Sequence, residues 1–145
     1  MGSDPAVIDE LERIVVAGVA VTTMALARAA PGLELTFPQW RVIVVLGESA
    51  RGATISEVAR RVGVTLPATG RQLRRLERRG LVTVAPDEND RRATRARLTE
   101  AGRAHRESIL RYRQAALGEL TDDLELSDEQ RIGLRRLARA LERER

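Results

Sequence analysis

The sequence of 145 residues lacks cysteine and lysine altogether and contains a single histidine. Without cysteine there can be no disulfide framework, no thiolate zinc site and no thiol redox sensor. The lone histidine, His105, makes a poor metal site without cysteine partners, and we expect it to pack at a dimer or domain boundary. The sequence therefore predicts neither a metal site nor a cofactor.

Aromatic residues are also scarce, at 2% of the chain, so the core must consist mainly of Leu, Val, Ile and Ala. That composition favours helices. The longest apolar run, residues 14 to 26, is about half the length that spans a bilayer, and it contains polar residues. The N-terminus is acidic and lacks a signal-peptide pattern, so we expect a soluble cytoplasmic protein without membrane association. The length suits one compact domain or one protomer of an intertwined dimer.

Catalytic motifs are missing too: the sequence has no nucleophile elbow, P-loop, dinucleotide-binding glycine fingerprint or HExxH. The acidic residues Asp122, Asp123 and Glu125 resemble the composition of a cation site, but an acidic connector between two helices explains them more simply. We therefore predict that the chain is not an enzyme.

What the sequence does contain is a pair of short helices in residues 54 to 80. Thr54 is followed three residues later by Glu57, which is the spacing of a capping box. Apolar residues then recur at the spacing of one buried helix face, and Gly63 falls where a left-handed residue ends a helix. The first helix is thus predicted between Thr54 and Gly63.

The second helix restarts at once, with Thr65 as its N-cap and Gly80 at its end. Thr69, Leu73 and Leu76 are expected to form its buried face. The opposite, arginine-rich face consists of Pro67, Arg71, Arg74, Arg75 and Arg78. Two short helices joined by a tight turn, the second rich in arginine on its outer face, are typical of a helix-turn-helix.

A hairpin follows this pair of helices. Residues 81 to 84 and 94 to 98 have the composition of strands and flank a polar turn at residues 86 to 90. Arg95 and Arg97 are expected on one face of the second strand, because successive side chains alternate. A basic hairpin directly after an arginine-rich helix is typical of the wing of a winged helix-turn-helix.

Positive charge is concentrated in this part of the chain. Residues 51 to 97 contain 12 arginines and 5 acidic residues, a net charge of +7, whereas the remaining residues contain 13 and 16, a net charge of −3. A basic surface by itself suits either nucleic acid or an anionic membrane, but concentration on a helix-turn-helix favours nucleic acid.

Two segments of this region, VARRVGVTLPATGRQLRRLERRGLV and DENDRRATRARLTEAG, resemble the MarR family of bacterial transcriptional regulators. The specific parts are GLV at residues 80–82 and DRR at residues 90–92, which leads into LTEAG at residues 98–102. The family pattern covers nearly the whole chain. The resemblance implies a homodimeric, DNA-binding transcriptional regulator, which in this family is most often a repressor.

Helices are expected on both sides of the winged domain. The first covers residues 5 to 29, and the second, capped by Thr36, is apolar nearly all round and therefore buried. After a loop at residues 49 to 53 and the winged domain, Thr99 is expected to cap a long helix and Ser127 a last one. The buried stripe of the long helix is expected to consist of Ala101, His105, Ile109, Tyr112, Ala116 and Leu120.

The predicted fold is mainly α (α+β), a winged helix-turn-helix with a helical dimerisation region built from N- and C-terminal helices. The winged domain covers residues 36–98, the N-terminal dimerisation helix residues 1–35, and the C-terminal dimerisation helices residues 99–145. The outer helices have apolar faces larger than the winged domain can cover, so two interdigitating chains would bury them, as the resembled family does. Two-fold symmetry then predicts a roughly palindromic DNA site with half-sites about one helical turn apart.

The second helix of the helix-turn-helix contains most of the expected DNA contacts. Arginine suits bidentate contact with guanine and also neutralises phosphates. Residues near the N-terminus of such a helix reach base edges most easily, so Pro67, Ala68, Gly70 and Arg71 are expected at the groove floor. At Gly70 the sequence departs from the small hydroxyl residue that the family often shows, which leaves the role of this position open.

Three other residues of this helix, Thr65, Arg74 and Arg75, are expected to contact phosphates or the outer edge of the groove. The alternative interpretation is that the arginines form a solvated helical face, partly paired with Glu77.

In the resembled family the wing arginine two places after an aspartate inserts into the minor groove, which implies that role for Arg92. Arg91 lies nearby, and Asp90 is expected to hold the loop by an ion pair. A narrow A·T-rich minor groove attracts such an arginine through its enhanced negative potential. The alternative is a mobile charged loop.

The sequence thus predicts a sequence-specific transcriptional regulator whose partners are double-stranded DNA, a second copy of itself and, from the resemblance, a small-molecule effector. The family mechanism is promoter occlusion, relieved when the effector changes the spacing of the two DNA-reading helices. The family pocket lies between the dimer helices and the winged domain, which implies that the first two helices and the start of the fifth line it, without assigning its residues. Separately, Phe37 and Trp40 either line a ligand pocket or pack in the core. The alternatives to this function are a winged-helix protein-interaction module and a nonspecific architectural DNA binder.

Overall fold

The computed structural model describes residues 4–29, 31–122 and 124–143. Over these residues it contains six helices and three short strands, so the prediction of a mainly α fold is confirmed. In chain order the elements are α1 (Pro5–Arg28), α2 (Phe37–Gly47), β1 (Ala53–Thr54), α3 (Ile55–Val62), α4 (Leu66–Arg78), β2 (Val82–Pro86), β3 (Thr94–Leu98), α5 (Glu100–Asp122) and α6 (Asp128–Arg143). Asp123, in the predicted acidic connector, lies outside the described residues.

The helix starts that capping patterns predict are confirmed. Before α3, the Thr54 amide donates to Oε2 of Glu57 at 2.7 Å and the Glu57 amide donates to Oγ1 of Thr54 at 3.2 Å. The same two reciprocal hydrogen bonds occur at the start of α2, between Thr36 and Gln39, and at the start of α6, between Ser127 and Gln130. Each pair satisfies two amides that a helix start otherwise leaves without partners, so these boundaries depend on residues only three positions apart.

The sheet has a third strand that was not predicted. Its order is β1-β3-β2, and β1 pairs antiparallel with β3, with Ala53 opposite Ala96. The predicted loop at residues 49 to 53 is therefore wrong at its last residue. A strand of two residues is too short to show the alternation of apolar and polar side chains by which strands are predicted. It forms because the edge of β3 is free to pair with it. Gly52 precedes it with a φ of 69°, and a Cβ there would lie 2.0 Å from the Ala96 carbonyl oxygen.

The hydrophobic core lies between α2, the sheet and the inner faces of α3, α4 and α5. α2 contributes most of its length to this core, as predicted, and its Ile43 is fully buried. Trp40 is only 3% exposed and packs in the core, whereas Phe37 is 38% exposed. The other large side chains of the core are Leu46, Leu73, Leu76, Leu81 and Ile109.

α5 begins tightly against the start of the wing. Thr99 caps the helix by accepting the Gly102 amide at 3.0 Å, and its own amide donates to the Leu81 carbonyl at 3.1 Å. The predicted stripe is wrong at Ala101, which is exposed, because Gly102 is the residue that packs down on Leu81. The next two residues of the predicted stripe are buried as expected.

His105 is one of those two residues, 6% exposed, on the face of α5 that meets the winged domain. Its Nε2 is buried without a hydrogen-bond partner among the described residues. Burial lowers the pKa of the imidazole, and the charge of Arg79 lowers it further. The ring is therefore neutral at pH 7 and packs at an internal boundary, in line with the expectation for it.

The outer helices leave much of their apolar surface uncovered within one chain. No residue of α6 is buried among those whose side chains are described. Tyr112 and Leu120 of the predicted α5 stripe are 45% and 60% exposed. The other exposed apolar side chains of these helices include Val7, Ile8, Ile14, Val15, Val16, Val19, Met24, Leu117, Ile132, Leu134 and Leu141. The uncovered surface therefore lies on α1, on the C-terminal half of α5 and on α6.

The described ranges contain neither a membrane-spanning helix nor a metal-binding cluster. No helix there is long and apolar enough to cross a membrane. No three His, Cys, Asp or Glu side chains in the same ranges lie close enough together to hold a metal ion.

Candidate nucleic-acid interface

α4, the second helix of the helix-turn-helix, turns one face to the core and the other to solvent. Thr69, Leu73 and Leu76 are at most 1% exposed, as the sequence predicts. All five residues of the opposite face are exposed: Pro67, Arg71, Arg74, Arg75 and Arg78. Because three buried side chains at helical spacing fix the inner face of α4, its row of arginines faces solvent.

The turn between α3 and α4 sets where α4 begins. Gly63 adopts the left-handed conformation, with a φ of 72°. Its amide and the amide of Val64 both donate hydrogen bonds to the Ala59 carbonyl. Thr65 then caps α4 by accepting the Ala68 amide at 3.4 Å. The chain therefore passes between the two helices in a few residues, as the helix-turn-helix pattern predicts.

The residues expected at the groove floor differ in accessibility. Pro67 and Arg71 are exposed, whereas Ala68 and Gly70 are half-buried. A Cβ at Gly70 would meet only Nη1 of Arg74, at 3.5 Å, so packing does not require glycine there.

Leu66 is a candidate contact that the buried-face pattern does not reveal. It is the first residue of α4 and is 52% exposed, beside Pro67. Apolar side chains at the start of a DNA-reading helix can contact the methyl group of thymine. The sequence does give one sign of this role, because Leu66 lies outside the stripe of Thr69, Leu73 and Leu76. A leucine that is not on the buried face of an amphipathic helix is a candidate for contact with a partner.

The arginines of α4 do not pair with Glu77, so that part of the alternative interpretation is wrong, whereas their exposure is what a solvated helical face would also show. Oε1 of Glu77 instead accepts the Val84 amide at 3.2 Å and so ties α4 to the wing. Within the described ranges no acidic side chain lies within ion-pair distance of the four exposed arginines, Arg71, Arg74, Arg75 and Arg78. Their charge is therefore available to an external partner.

Arg79 behaves differently from its neighbours on α4. It is half-buried, and its guanidinium donates to the Glu34 carbonyl at 2.9 Å and to Oε1 of Gln39 at 3.4 Å. It therefore holds the end of α4 to the connection between α1 and α2. The sequence could not show this role, because both partners lie at least 40 positions away.

The tip of the wing is held by its own backbone and by aspartate side chains. Oδ1 of Asp87 accepts the amides of Asn89 and Asp90 at 2.8 and 3.2 Å. Asp90 accepts the Arg92 amide at 2.9 Å, so the expectation of an ion pair from Asp90 is wrong. The aspartate shapes the turn by an Asx-type bond. Arg91 and Arg92 are both exposed beyond it.

The ion pair at the wing belongs to Asp87 and Arg95 instead. Asp87 is 5% exposed and pairs with the Arg95 guanidinium, whose Nη1 also donates to the Gly52 carbonyl at 3.2 Å. The Arg95 hydrogen bond is the main reason that the pKa of Asp87 is lowered, helped by the amides of Asn89 and Asp90.

Arg97 forms a second connection of the same kind. Its Nη2 donates to Glu88 at 2.7 Å, and its Nε donates to the Arg51 carbonyl at 3.1 Å. Arg95 and Arg97, predicted as part of a basic wing face, therefore serve mainly to fasten the wing to the loop before β1. The exposed positive charge of the wing comes from Arg91 and Arg92.

A three-helix core with a two-helix turn, a three-stranded sheet and an extended hairpin defines a winged helix-turn-helix protein. The model of the MarR family matches residues 33–93 of the sequence. Over these residues, which hold the helix-turn-helix and most of the wing, the sequence matches the MarR family.

Two relatives support this assignment over different parts of the chain. The HTH-type transcriptional repressor IacR of Pseudomonas putida is 32% identical over 80 residues, which is 55% of this chain and 47% of that protein. The transcriptional activatory protein BadR of Rhodopseudomonas palustris is 33% identical over 104 residues, 70% of this chain and 59% of that protein. The chain thus spans about half the length of the curated relatives it matches. Both are named as regulators and neither as an enzyme, in agreement with the prediction.

A solved structure covers the fold almost completely. Streptococcus pneumoniae FabT in complex with DNA is similar to this chain with a TM-score of 0.74 and 26% identity, over 98% of this chain and 100% of that one. The outer helices, which the family model does not match, are therefore part of the shared fold.

Proposed function

We propose that the protein is a sequence-specific, DNA-binding transcriptional regulator that binds a roughly palindromic operator as a homodimer. The observation that carries this proposal is the exposed row of four arginines on α4, none of them paired with an acidic side chain of the described chain. The similarity to FabT in complex with DNA supports it. Such a regulator would act in the bacterial cytoplasm, where the DNA lies.

Within α4 the proposed contacts divide by position. Arg71, one turn into the helix, is proposed to read guanine, while Pro67 and the half-buried Ala68 and Gly70 lie against the groove floor. Leu66 adds an apolar contact at the same end. The phosphate or outer-edge contacts are proposed for Thr65, Arg74 and Arg75, whose exposure suits them.

In the wing, Arg92 is proposed to enter the minor groove, with Arg91 beside it. Asp90 acts indirectly, because its carboxylate accepts the Arg92 amide and so shapes the loop. The two ties through Arg95 and Arg97 support this role, since they hold the hairpin against the body of the domain. A fastened hairpin loses less conformational freedom on binding than a mobile loop does.

The dimer is proposed to form through residues 1–35 and 99–145, around the winged domain of residues 36–98. The exposed apolar side chains of α1, the end of α5 and α6 support this division, because one chain leaves them in water. A two-fold axis through these helices would place two copies of α4 on successive turns of the major groove.

Regulation is proposed to be repression that a small molecule relieves. By name, one of the two relatives is a repressor and the other an activator. The proposal of repression rather than activation therefore rests on the first relative and on the usual behaviour of the family. A cavity of about 830 Å³ between α1, α2, α3 and α5 offers space for an effector, and Phe37 and Trp40 both line it. To release DNA, the effector must bind the DNA-incompetent arrangement of the dimer more tightly.

The test is selection of bound sequences from a random duplex library at a fixed salt concentration near physiological. We expect enrichment of an inverted repeat whose half-sites lie about one helical turn apart. Arg71→Ala should lose base preference within the half-site and Arg92→Ala should lose preference in the flanks, whereas the exposed α5 control Arg111→Ala should lose neither. Binding without an enriched motif would instead indicate an architectural protein, and no binding would indicate a protein-interaction module.

A further inference from the structure

We infer that Leu66 and Gly70 form a notch on α4 that accepts the C5-methyl group of a pyrimidine in the major groove. The notch consists of the Leu66 side chain and the bare backbone of Gly70. The protein then prefers thymine to uracil at one position of each half-site, and 5-methylcytosine to cytosine. The inference rests on the proposed function, because it names a feature of the bases that the regulator reads.

The two residues of the notch lie on the same side of α4. They are four positions apart, and residues with that spacing are neighbours on the surface of a helix. Arg74 follows Gly70 by the same spacing and continues the row. Because glycine has no side chain, the row has a gap between a leucine and an arginine.

The leucine of the notch is not explained by the core of the protein. It is 52% exposed, whereas the buried stripe of the helix begins three residues later, at Thr69. The start of the helix does not require it either, because the side chain of Thr65 provides the cap. Apolar surface that remains in water gains nothing from folding, so this surface is available to a partner.

The glycine of the notch is not explained by packing within the described chain. A Cβ at Gly70 would meet only Nη1 of Arg74, at 3.5 Å, which is ordinary van der Waals contact. The backbone of Gly70 is that of a regular helix, so alanine would fit and would be the better helix former. A glycine that weakens a helix without relieving a contact inside it suits the close approach of a partner to the backbone.

The charges beside the notch identify this partner as nucleic acid. Arg71 and Arg74 are exposed, and no acidic side chain of the described residues lies within ion-pair distance of either. An apolar protein surface would leave both charges without compensation, whereas the phosphates that border a groove compensate them. The notch therefore faces base edges between two phosphate backbones.

One group on those edges matches an apolar notch. In the major groove the base pairs present hydrogen-bond donors and acceptors, and thymine adds its C5-methyl group. Leu66 offers an apolar contact to that methyl group, and Gly70 gives it room to approach the helix backbone. Cytosine presents the same group only when it is methylated at C5. The notch therefore distinguishes methylated from unmethylated pyrimidines.

The experiment replaces thymine by deoxyuridine, one position at a time, in the operator that the library selection yields. Uracil keeps the base pair and removes only the methyl group. At one position we expect the full chain to bind about fourfold more weakly when one half-site is changed, and about tenfold or more weakly when both are, because burial of a methyl group contributes about this factor. At the same position 5-methylcytosine should bind more tightly than cytosine by a similar factor.

Two variants assign the effect to the notch. Leu66→Ala should bind the thymine operator about as weakly as the wild type binds the uracil operator, and uracil should then cost nothing more. Gly70→Ala should raise the melting temperature, because alanine favours the helix, and yet lose most of the preference for thymine over uracil. Leu124→Ala removes a similarly exposed leucine from the connector after α5 and should keep the full preference.

An enriched inverted repeat with no position at which uracil weakens binding would overturn this inference and leave the proposed function intact. An equal uracil effect in the wild type and in Leu66→Ala would also overturn it, because the methyl group would then be read elsewhere. A library that yields no motif would overturn the proposed function together with this inference. Binding of the uracil operator by each variant shows that the variant is folded.

Discussion

The backbone of Leu81, at the start of the wing, lies so close to Gly102 on α5 that a Cβ on the glycine would be 2.0 Å from the Leu81 carbonyl oxygen. The same carbonyl accepts the Thr99 amide at 3.1 Å, so the helix and the wing are joined at this point. Contact between two backbones cannot be relieved by a change of rotamer. The close packing of α5 on the winged domain therefore depends on glycine at this position.

Gly102→Ala should destabilise the protein by about 1–3 kcal/mol, as overpacking does in well-packed cores. The reason is that the backbone of α5 must move away from Leu81 to admit the methyl group. Gly118→Ala is the matched control on the same helix, because a Cβ there meets nothing within 4 Å. It should stabilise the helix by about 0.5–1 kcal/mol. Urea unfolding of both variants tests the pair, and equal effects would refute the close contact.

Asp87→Asn should weaken the wing in a manner that depends on pH. The Arg95 guanidinium holds the pKa of Asp87 below its ordinary value of 3.8 in the folded protein. A lowered folded pKa means that the ionised carboxylate contributes stability above the unfolded value, and that this contribution is lost as pH falls through the folded pKa. The difference in urea midpoint between wild type and Asp87→Asn should therefore be largest near neutral pH and shrink as the pH falls below the ordinary value of 3.8. Glu125→Gln, in the exposed connector, is the control, and a difference that is constant with pH would contradict the role of Asp87.

Arg71→Ala and Arg74→Ala should weaken DNA binding in different ways. Loss of a base-reading arginine should cost about 1–3 kcal/mol on the selected operator and relax specificity at one position. Loss of a phosphate contact should weaken binding to all sequences alike. It should also reduce the slope of log affinity against log salt concentration by about 1. Titrations of operator and random duplexes at several salt concentrations separate the two. Identical behaviour of the variants would show that α4 makes only charge contacts.

Arg92→Ala should remove the preference for A·T-rich sequence next to each half-site. An arginine in a narrow minor groove responds to its negative potential, which A-tracts enhance. Arg91→Ala removes the same charge one residue earlier, so it should lower affinity but leave this preference largely intact. Competition between operators with A·T-rich and G·C-rich flanks measures the effect. A loss of preference in both variants would mean that the wing acts only through its total charge.

Leu134→Glu should dissociate the proposed dimer without unfolding the protomer. Leu134 is 49% exposed within one chain, so its replacement removes little from the protomer core. Two copies of the substitution would place charges in a buried apolar interface, at a cost of several kcal/mol. Sedimentation measurements should show a monomer, and DNA affinity should fall because dimerisation is lost. Arg136→Glu on the same helix is the charge-changing control and should remain a dimer.

The helices and their boundaries could be predicted because each depends on residues close together in the chain. The boxes of Thr54 with Glu57 and Thr36 with Gln39 act over three positions, and the buried stripe of α4 repeats every three or four. The exposed arginine row followed from the same periodicity. The wing could be recognised from its polar turn, although its anchoring could not.

The sequence by itself therefore determined the succession of helices, the start of each capped helix and the outward face of α4, since these depend on local hydrogen bonds and on the helical repeat. The tertiary structure alone decided which acceptors three of the arginines find and which aspartate forms the ion pair of the wing. Arg79, Arg95 and Arg97 find acceptors 40 to 46 positions away, and Asp87 rather than Asp90 provides the ion pair of the wing. It also created β1 along the edge of β3, and it gathered arginines from α2, α3 and α5 around one cavity. Such contacts depend on how distant segments approach one another, and no spacing within the chain encodes that approach.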